Sequence, residues 1–437
     1  MERTLIEKIK EKSGQQVKIA GFVSTIRDQG NIKFLIIRDI TGTAQAVVTK
    51  DAGESFKVAG SLSLESVAEI IGQVKEEKQA PNGFEIVVEK ISILSTASPE
   101  LPIPVIDKSA EGADSQKRLD WRWLDLRKPG KALVFKVWTA MEQAFREYWI
   151  QNNYIEIHSP KFMSTPSETG AELFEVKYFG RKAYLAQSPQ FYKQMGMAAG
   201  FERVFEVGPV FRANPSFTSR HDTEFTGYDA EISFIESHQD VIEEEQKAIS
   251  CVLSQVKEKF GEEISSLYGR DLIVPALPFP QVTMDEAKKI LAKLGVPSEK
   301  DGDLSPEEER KLSEYILKEK GHEFLFVTEY PIEVRPFYHM RLRDNPKLTK
   351  SFDLLWNGLE ITTGAQREHK YDVLVDQAKE KGLKLEPIQF YLNFFRYGCP
   401  PHGGFGLGPS RMLMKIFDVS NVREVTYLYR GVKRLEP

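Results

Sequence analysis

The chain has 437 residues, with 59 Lys and Arg against 64 Asp and Glu and a net charge of −5. That length suffices for two or three domains, and the acidic balance leaves only local basic patches for any nucleic-acid contact. No apolar run approaches membrane-spanning length, and the charged start Met1-Glu2-Arg3-Thr4 lacks a signal core. The only two cysteines, Cys251 and Cys399, have no ligand spacing, which argues against a disulfide framework or a structural zinc. The expectation is a soluble cytoplasmic protein.

Five short alternating runs, at 17–23, 32–39, 44–48, 66–74 and 84–94, are parted by turns at 28–31, Thr41-Gly42 and Pro81-Asn82-Gly83. A more helical piece at 51–60 separates the third from the fourth. This is the arrangement of an oligonucleotide-binding (OB) barrel, whose open face takes single strands. On that face Phe34 would stack a base, Gln45 and Glu89 would bond base edges, and Arg27 would reach a base or phosphate. Equally, Phe34 fits a core position and the others a solvated surface. The run Ser98-Pro99-Glu100-Leu101-Pro102-Ile103-Pro104 is too proline-rich for helix or central strand. It divides the chain into a barrel at 1–100, a linker at 101–130 and a large domain at 131–437.

The large domain opens with helical spacing at 131–153, then a strand that stops at Pro160. The pair suits an edge or dimer element, and also a plain core helix. Gln190 and Lys193 share one helical face, with Ser188 as cap and Pro189 at the first helical position. Lys193 there can hold a carboxylate. Two strand-like runs, 203–210 and 225–232, flank a loop with Arg212 at its base and Arg220-His221 near its tip. Guanidinium groups so placed form a fork for phosphate, or simply a solvated hairpin.

A helix at 238–260 is expected to stop at Gly261, followed by a small helical insertion at 262–325 without catalytic groups. β character returns at 323–328, and runs 351–356 and 359–363 form a hairpin across Asn357-Gly358. Asp353 and Glu360 then lie on facing strands, where two carboxylates repel unless a cation joins them. With the Thr363 hydroxyl they are hard ligands suited to Mg2+ that also holds phosphate, and Arg367 adds a cation nearby. The glycines of 403–408 suit a bend or a close backbone approach, and they open a helix whose first turn carries Arg411 and whose N-terminus favours an anion. The spacing of neither a P-loop nor a dinucleotide fingerprint is present.

Several stretches are together more specific than any one alone: Gln187-Ser188-Pro189-Gln190-Phe191-Tyr192-Lys193-Gln194, Phe211-Arg212-Ala213 with Thr218-Ser219-Arg220-His221, Gly364-Ala365-Gln366-Arg367-Glu368-His369, and Gly406-Leu407-Gly408-Pro409-Ser410-Arg411. In this order, over nearly the whole chain, they resemble the class II aminoacyl-tRNA synthetases, and among them the aspartyl-tRNA synthetases of archaeal and eukaryotic type. The large insertion of the usual bacterial form is absent. The resemblance implies an α+β chain, with a five-stranded OB barrel ahead of a catalytic antiparallel sheet flanked by helices. It implies a cytoplasmic homodimer without membrane attachment that activates L-aspartate with ATP and Mg2+ and charges tRNA(Asp).

The resemblance also implies residue roles. Pro160 closes the dimer element. Arg212 binds the ATP α-phosphate, Arg220 and His221 lie near the γ-phosphate, and Phe225 and Arg411 sandwich adenine, with Glu360 and Gly408 also on the nucleotide. Asp353, Glu360 and Thr363 surround the metal. Lys193 and Arg367 clamp the aspartate side chain beside Gln190 and Thr363, while Glu168 and Asp229 hold the α-amino group. Arg27, Phe34, Gln45 and Glu89 match anticodon-reading positions. Three departures stand out: Asn214 where many relatives have glutamate, Thr363 for a common serine, and Ser24 for a tryptophan of relatives strict for tRNA(Asp). The last suggests that tRNA(Asn) is also accepted. The alternatives are an asparaginyl-tRNA synthetase, against which Lys193 speaks, and a non-catalytic nucleic-acid-binding paralogue, which would be expected to lack Arg212, Arg411 or the acidic pair.

Overall fold

Strand alternation closes the first part of the chain into a barrel. β1 (Gln16–Asp28), β2 (Ile32–Arg38), β3 (Thr43–Thr49), β4 (Val67–Glu76) and β5 (Phe84–Ser95) pair in the closed order β1-β2-β3-β5-β4, with α1 (Glu54–Ser61) between β3 and β4. Ile19, Val23, Leu35, Ile37, Ile70 and Ile86 point inward and are fully buried. β1 serves two neighbours, and it turns from β4 to β2 at a bulge between Val23 and Thr25. Ser24 is the extra residue there; it is buried and donates to the Ile36 carbonyl at 3.1 Å. Two short helices, α2 (Ser115–Asp120) and α3 (Arg122–Asp125), follow.

The computed structural model describes residues 1–106, 114–166, 172–215 and 218–436. They form two units, Met1–Lys128 and Pro129–Pro437. The second opens with α4 (Pro129–Gln151), β6 (Ile155–Glu156), β7 (Phe162–Met163), β8 (Glu175–Tyr178), β9 (Arg181–Leu185) and α5 (Gln190–Ala198). Next come β10 (Arg203–Phe211), β11 (Glu224–Ser233), α6 (His238–Tyr268), β12 (Gln281–Thr283), α7 (Met284–Lys293), α8 (Pro306–Lys320) and β13 (Phe324–Thr328). The chain finishes with β14 (Ser351–Trp356), β15 (Leu359–Arg367), α9 (Tyr371–Glu380), α10 (Leu385–Arg396), β16 (His402–Leu407) and α11 (Pro409–Ile416). Eight strands form one sheet in the order β12-β13-β14-β15-β16-β11-β10-β6. Its pairs are antiparallel except at the two ends.

The long helices cover one face of this sheet. Trp149 of α4 stacks on Phe205 with centroids 4.7 Å apart, and Phe145 meets Tyr228 edge-on at 5.6 Å. Thr362 of β15 turns the same way and donates to Glu245 of α6 at 2.5 Å. Because successive strand residues alternate, the neighbours Asp229 and Thr363 face the opposite side, where the cleft lies.

Three expectations change. α6 passes through Gly261 and ends at Tyr268, with Gly269 as left-handed cap. A mid-helix glycine costs only about 1 kcal/mol, which buried Ile264 and the 2.8 Å bond from the Tyr268 hydroxyl to the Gly130 carbonyl offset. The strand expected over 154–160 is only the two residues of β6. The glycine run is not a bend but β16, in the middle of the sheet between β15 and β11. Its glycines admit close neighbours, since a Cβ on Gly404 would lie 2.1 Å from the Ala230 carbonyl oxygen and 2.3 Å from Glu231 Oε2. Within 262–325 the chain holds the end of α6, α7, α8 and the sheet-edge strand β12.

These glycines make opposite predictions. Gly404→Ala forces strands apart and is expected to lose about 3 kcal/mol, whereas Gly261→Ala removes a helix-interior glycine and gains about 1 kcal/mol. Urea denaturation of both variants checks this.

Candidate active site

Alternation along β11 lines a cavity of about 350 Å³ with Phe225, Gly227 and Asp229, while β15 contributes Thr363 and Arg367. α5 delivers Gln190 and Lys193 from one helical turn, and Ser188 Oγ accepts from the Gln190 amide at 3.3 Å. The helix begins one residue later than expected, with Pro189 as its cap position.

At the floor of the cleft, charges are paired in near-complete burial. Lys193 and Arg367 are 2% and 3% exposed, and Glu231 between them is 0% exposed. Arg367 Nε donates to Glu231 Oε1 at 3.0 Å, and Lys193 Nζ lies 3.3 Å from Glu231 Oε2. Lys193 also donates to Asp229 Oδ1 at 2.9 Å. Burial by itself would raise the Glu231 carboxyl, but Arg367 and Lys193 outweigh it and hold the group below its ordinary value. Arg367 Nη1 lies 2.9 Å from His339 Nε2. Arginine only donates, so Nε2 accepts and the imidazole is neutral, as its burial and the Arg367 charge also require. Gln190 is tied in through Gln194, whose side chain also meets Tyr391 and His402 at 3.0 and 2.9 Å.

The other end of the cleft is rich in arginine. Arg212 extends from the end of β10 with its guanidinium 5.7 Å from the Phe225 ring centroid. Arg411, in the first turn of α11, donates to Glu360 Oε1 at 3.1 Å and to the Glu360 carbonyl at 2.8 Å. His221 Nε2 lies 3.4 Å from Arg411 Nη2, and its Nδ1 lies 2.6 Å from Thr218 Oγ1. Burial first, then the Arg411 charge, push His221 down to about 4, so it is a neutral ring beside three arginines. Gly408 caps α11 and its amide donates to the Ile361 carbonyl at 3.0 Å.

The acidic pair lies on the paired strands β14 and β15 as expected, but its two members are not directly opposite. Asp353 faces Thr363 and Glu360 faces Leu355, because a bulge intervenes after Leu354. Asp353 is buried and accepts from Arg335 Nη2 at 2.7 Å. Its Oδ1 is buried without a partner, and burial together with the Glu360 charge push its pKa up while Arg335 opposes. No cluster of three or more His, Cys, Asp or Glu with metal-ligand arrangement occurs among the described residues. An orphaned carboxylate oxygen, a second carboxylate in the cleft and the Thr363 hydroxyl fit a cation that takes its remaining oxygens from phosphate.

The cleft therefore gathers Gln190, Lys193, Arg212, Arg220, His221, Phe225, Asp229, Glu360, Thr363, Arg367, Gly408 and Arg411 along its walls. Asp353 lies behind Arg335, and Glu168 lies outside the described residues. Sequence reading missed Glu231, Arg335 and His339. Glu231 carried a signal, since it repeats the strand phase of Asp229; Arg335 and His339 lie in an irregular stretch with no period to read.

On the barrel, Arg27 pairs across from Phe34, and Gln45 across from Ile36, so the three share an outward face by register. Gln45 is buried and donates to Glu85 Oε2 at 3.3 Å, a neighbour the sequence reading did not single out. Glu89 lies at a bulge further along β5 and bonds Gln16 at 2.5 Å.

Residues 114–430 match the family described as tRNA synthetases class II (D, K and N), and residues 17–94 match an OB-fold nucleic acid binding domain. The chain belongs to the class II tRNA synthetases and is a ligase that forms aminoacyl-tRNA, with ATP as substrate. It is 43% identical to the aspartate–tRNA(Asp) ligase of Pyrococcus abyssi, over 98% of this chain and 97% of that one. It is 44% identical to the aspartate–tRNA(Asp/Asn) ligase of Methanopyrus kandleri, with the same coverage. Its fold matches the asparaginyl-tRNA synthetase of Pyrococcus horikoshii bound to asparaginyl-adenylate with a TM-score of 0.93 at 34% identity, covering all of both chains. Against the aspartyl-tRNA synthetase of Entamoeba histolytica the TM-score is 0.88 at 31% identity, over 100% of this chain and 93% of that one.

One buried acid generates a pH dependence. Burial pushes Glu245 from an ordinary 4.5 up to about 8. Between those values the folded state keeps a proton that the unfolded state releases, so stability from this group is full below about 4.5 and is lost as pH rises through about 8. Asp222 and Glu309, both raised to about 7, slope the same way. Glu245→Gln is expected to flatten part of the fall in melting temperature between about pH 5 and pH 8, measured by calorimetry.

Proposed function

We propose that the chain is an aspartate–tRNA ligase. The observation that carries the reading is the buried Lys193–Glu231–Arg367 group at the floor of an arginine-rich cleft. Glu231 offsets one of the two cations, and with Asp229 engaged by the α-amino group the remaining positive charge suits a side-chain carboxylate, which an amide would not balance. The close fold similarity to an asparaginyl enzyme does not separate the two substrates; these buried charges support aspartate.

Adenylate formation needs in-line approach of a carboxylate to the α-phosphorus and neutralisation of charge, not a protein nucleophile. In this reading Lys193 and Arg367 clamp the aspartate side chain, with Gln190 and Thr363 beside it. Asp229 holds the α-amino group and Glu168 is its second partner. Arg212 takes the α-phosphate, Arg220 and neutral His221 the terminal phosphates, and Phe225 and Arg411 the two faces of adenine. Gly408 leaves room beside the nucleotide, its neighbour in space being the Arg411 side chain. Asp353, Glu360 and Thr363 would hold Mg2+, which supplies further charge neutralisation on the phosphates. Transfer to the terminal adenosine of tRNA follows, with the anticodon read by Arg27, Phe34, Gln45 and Glu89.

The reading includes a cytoplasmic homodimer. Ile150 and Ile155, exposed near the sheet edge formed by β6, support a self-contact there. No helix among the described residues is long and apolar enough to cross a membrane. It also includes tRNA(Asn) as a second acceptor. The small Ser24 at the barrel bulge and the similarity to a tRNA(Asp/Asn) ligase support that.

The purified protein is expected to catalyse ATP–pyrophosphate exchange with aspartate and not with asparagine. Lys193→Met is expected to lower kcat/KM for aspartate by about two to three orders of magnitude. Exchange supported by asparagine alone would sink the reading. For tRNA range, transcripts of tRNA(Asp) and tRNA(Asn) are each expected to accept radiolabelled aspartate; an uncharged tRNA(Asn) removes the second acceptor and leaves the first.

A further inference from the structure

α8 carries a carboxylate to the arginine-rich end of the cleft. Arg220 Nη1 donates to Glu309 Oε2 at 2.6 Å, and its Nη2 donates to the Gly358 carbonyl at 3.1 Å. The acceptors come from two elements, the first turn of α8 and the β14–β15 turn. The two are packed without slack: Gly358 has φ of +75°, and a Cβ there would lie 2.7 Å from Arg310 Cα. Lys415 of α11 holds the same turn through the Asn357 carbonyl at 2.9 Å. Glu309 is 8% exposed, which separates this contact from ordinary surface ion pairs of little energetic consequence. Burial, then the charge of Glu360, push its carboxyl up to about 7 against the pull of Arg220. Glu309 therefore belongs to the same charge system as Glu360 and Arg411, although it comes from a different segment of the chain.

We propose that Glu309 is a positioning residue for adenylate formation: with the Gly358 carbonyl it anchors Arg220 by its outer amino groups, so the arginine meets the terminal phosphates of ATP already ordered. The proposal rests on the reading of Arg220 as a phosphate ligand. A long arginine side chain left loose must be immobilised when ATP binds, and that ordering is worth about tenfold in affinity. The anchor meets this cost on folding instead. A purely structural Glu309–Arg220 pair would affect stability and leave the two substrates alike.

The test is aspartate-dependent ATP–pyrophosphate exchange by the full chain, with ATP and aspartate varied separately. Glu309→Ala is expected to raise KM for ATP about tenfold with a smaller change in kcat and none in KM for aspartate. Glu309→Gln keeps an acceptor for Nη1 and is expected to restore most of the loss. The double variant Arg220→Ala/Glu309→Ala is expected to be no worse than Arg220→Ala, because Glu309 acts through that side chain. An unchanged KM for ATP in Glu309→Ala, a parallel rise for both substrates, or additive losses in the double variant would each overturn the proposal. If Arg220→Ala raises KM for ATP while Glu309→Ala does not, only the anchor is wrong. If Arg220→Ala leaves it unchanged, the phosphate role of Arg220 falls and the anchor with it.

Discussion

One fully buried carboxylate, Glu231, is the constraint on which the floor of the cleft depends. Lys193 and Arg367 come from α5 and β15, and each would be costly to bury without a counter-charge. Glu231 accepts from Arg367 and lies within 3.3 Å of Lys193. It thereby sets two cations side by side. The neighbour Gly404 makes the geometry feasible, since any side chain there would occupy the position of Glu231 Oε2. A strand rich in glycine is thus the counterpart of a strand carrying charge.

The sheet converts this local pairing into a rigid site. Residues of β11 alternate between the helices and the cleft: Tyr228 packs on α4, while Asp229 and Glu231 turn to Lys193. β15 does the same, with Thr362 bonded to α6 and Arg367 in the cleft. Side chains whose neighbours are locked in this way need little reordering when a substrate arrives, which is how a site without a protein nucleophile accelerates a reaction. The arginine-rich end follows the same logic, with arginines from three places: the end of β10, the following loop and the first turn of α11.

Local patterns carried much of this. The five barrel strands, the hairpin at Asn357-Gly358 and the helix holding Gln190 and Lys193 follow from period and turn chemistry. Where the patterns misled, a non-local contact outweighed a local preference. Gly261 reads as a stop, yet α6 continues because Ile264 is buried and Tyr268 reaches Gly130. Glycines at 403–408 read as a bend or a close backbone approach; they pair on both sides as a central strand, and the close approach is what Gly404 provides. Asp353 reads as part of an acidic pair, and the structure adds a partner no period announced: Arg335 pairs with one of its oxygens.

The sequence by itself determined the barrel strands, the hairpin at Asn357-Gly358, the helix of Gln190 and Lys193 and the chemical kinds of group present, because these depend on residues close together in the chain. The motifs also sufficed to resemble a family to which the chain belongs. Only the tertiary structure decided which charges meet. Glu231 with Arg367, Arg335 with Asp353, and Glu309 with Arg220 are separated by 136, 18 and 89 residues. Coulomb energy depends on distance in space and on burial, and neither can be read from position along the chain.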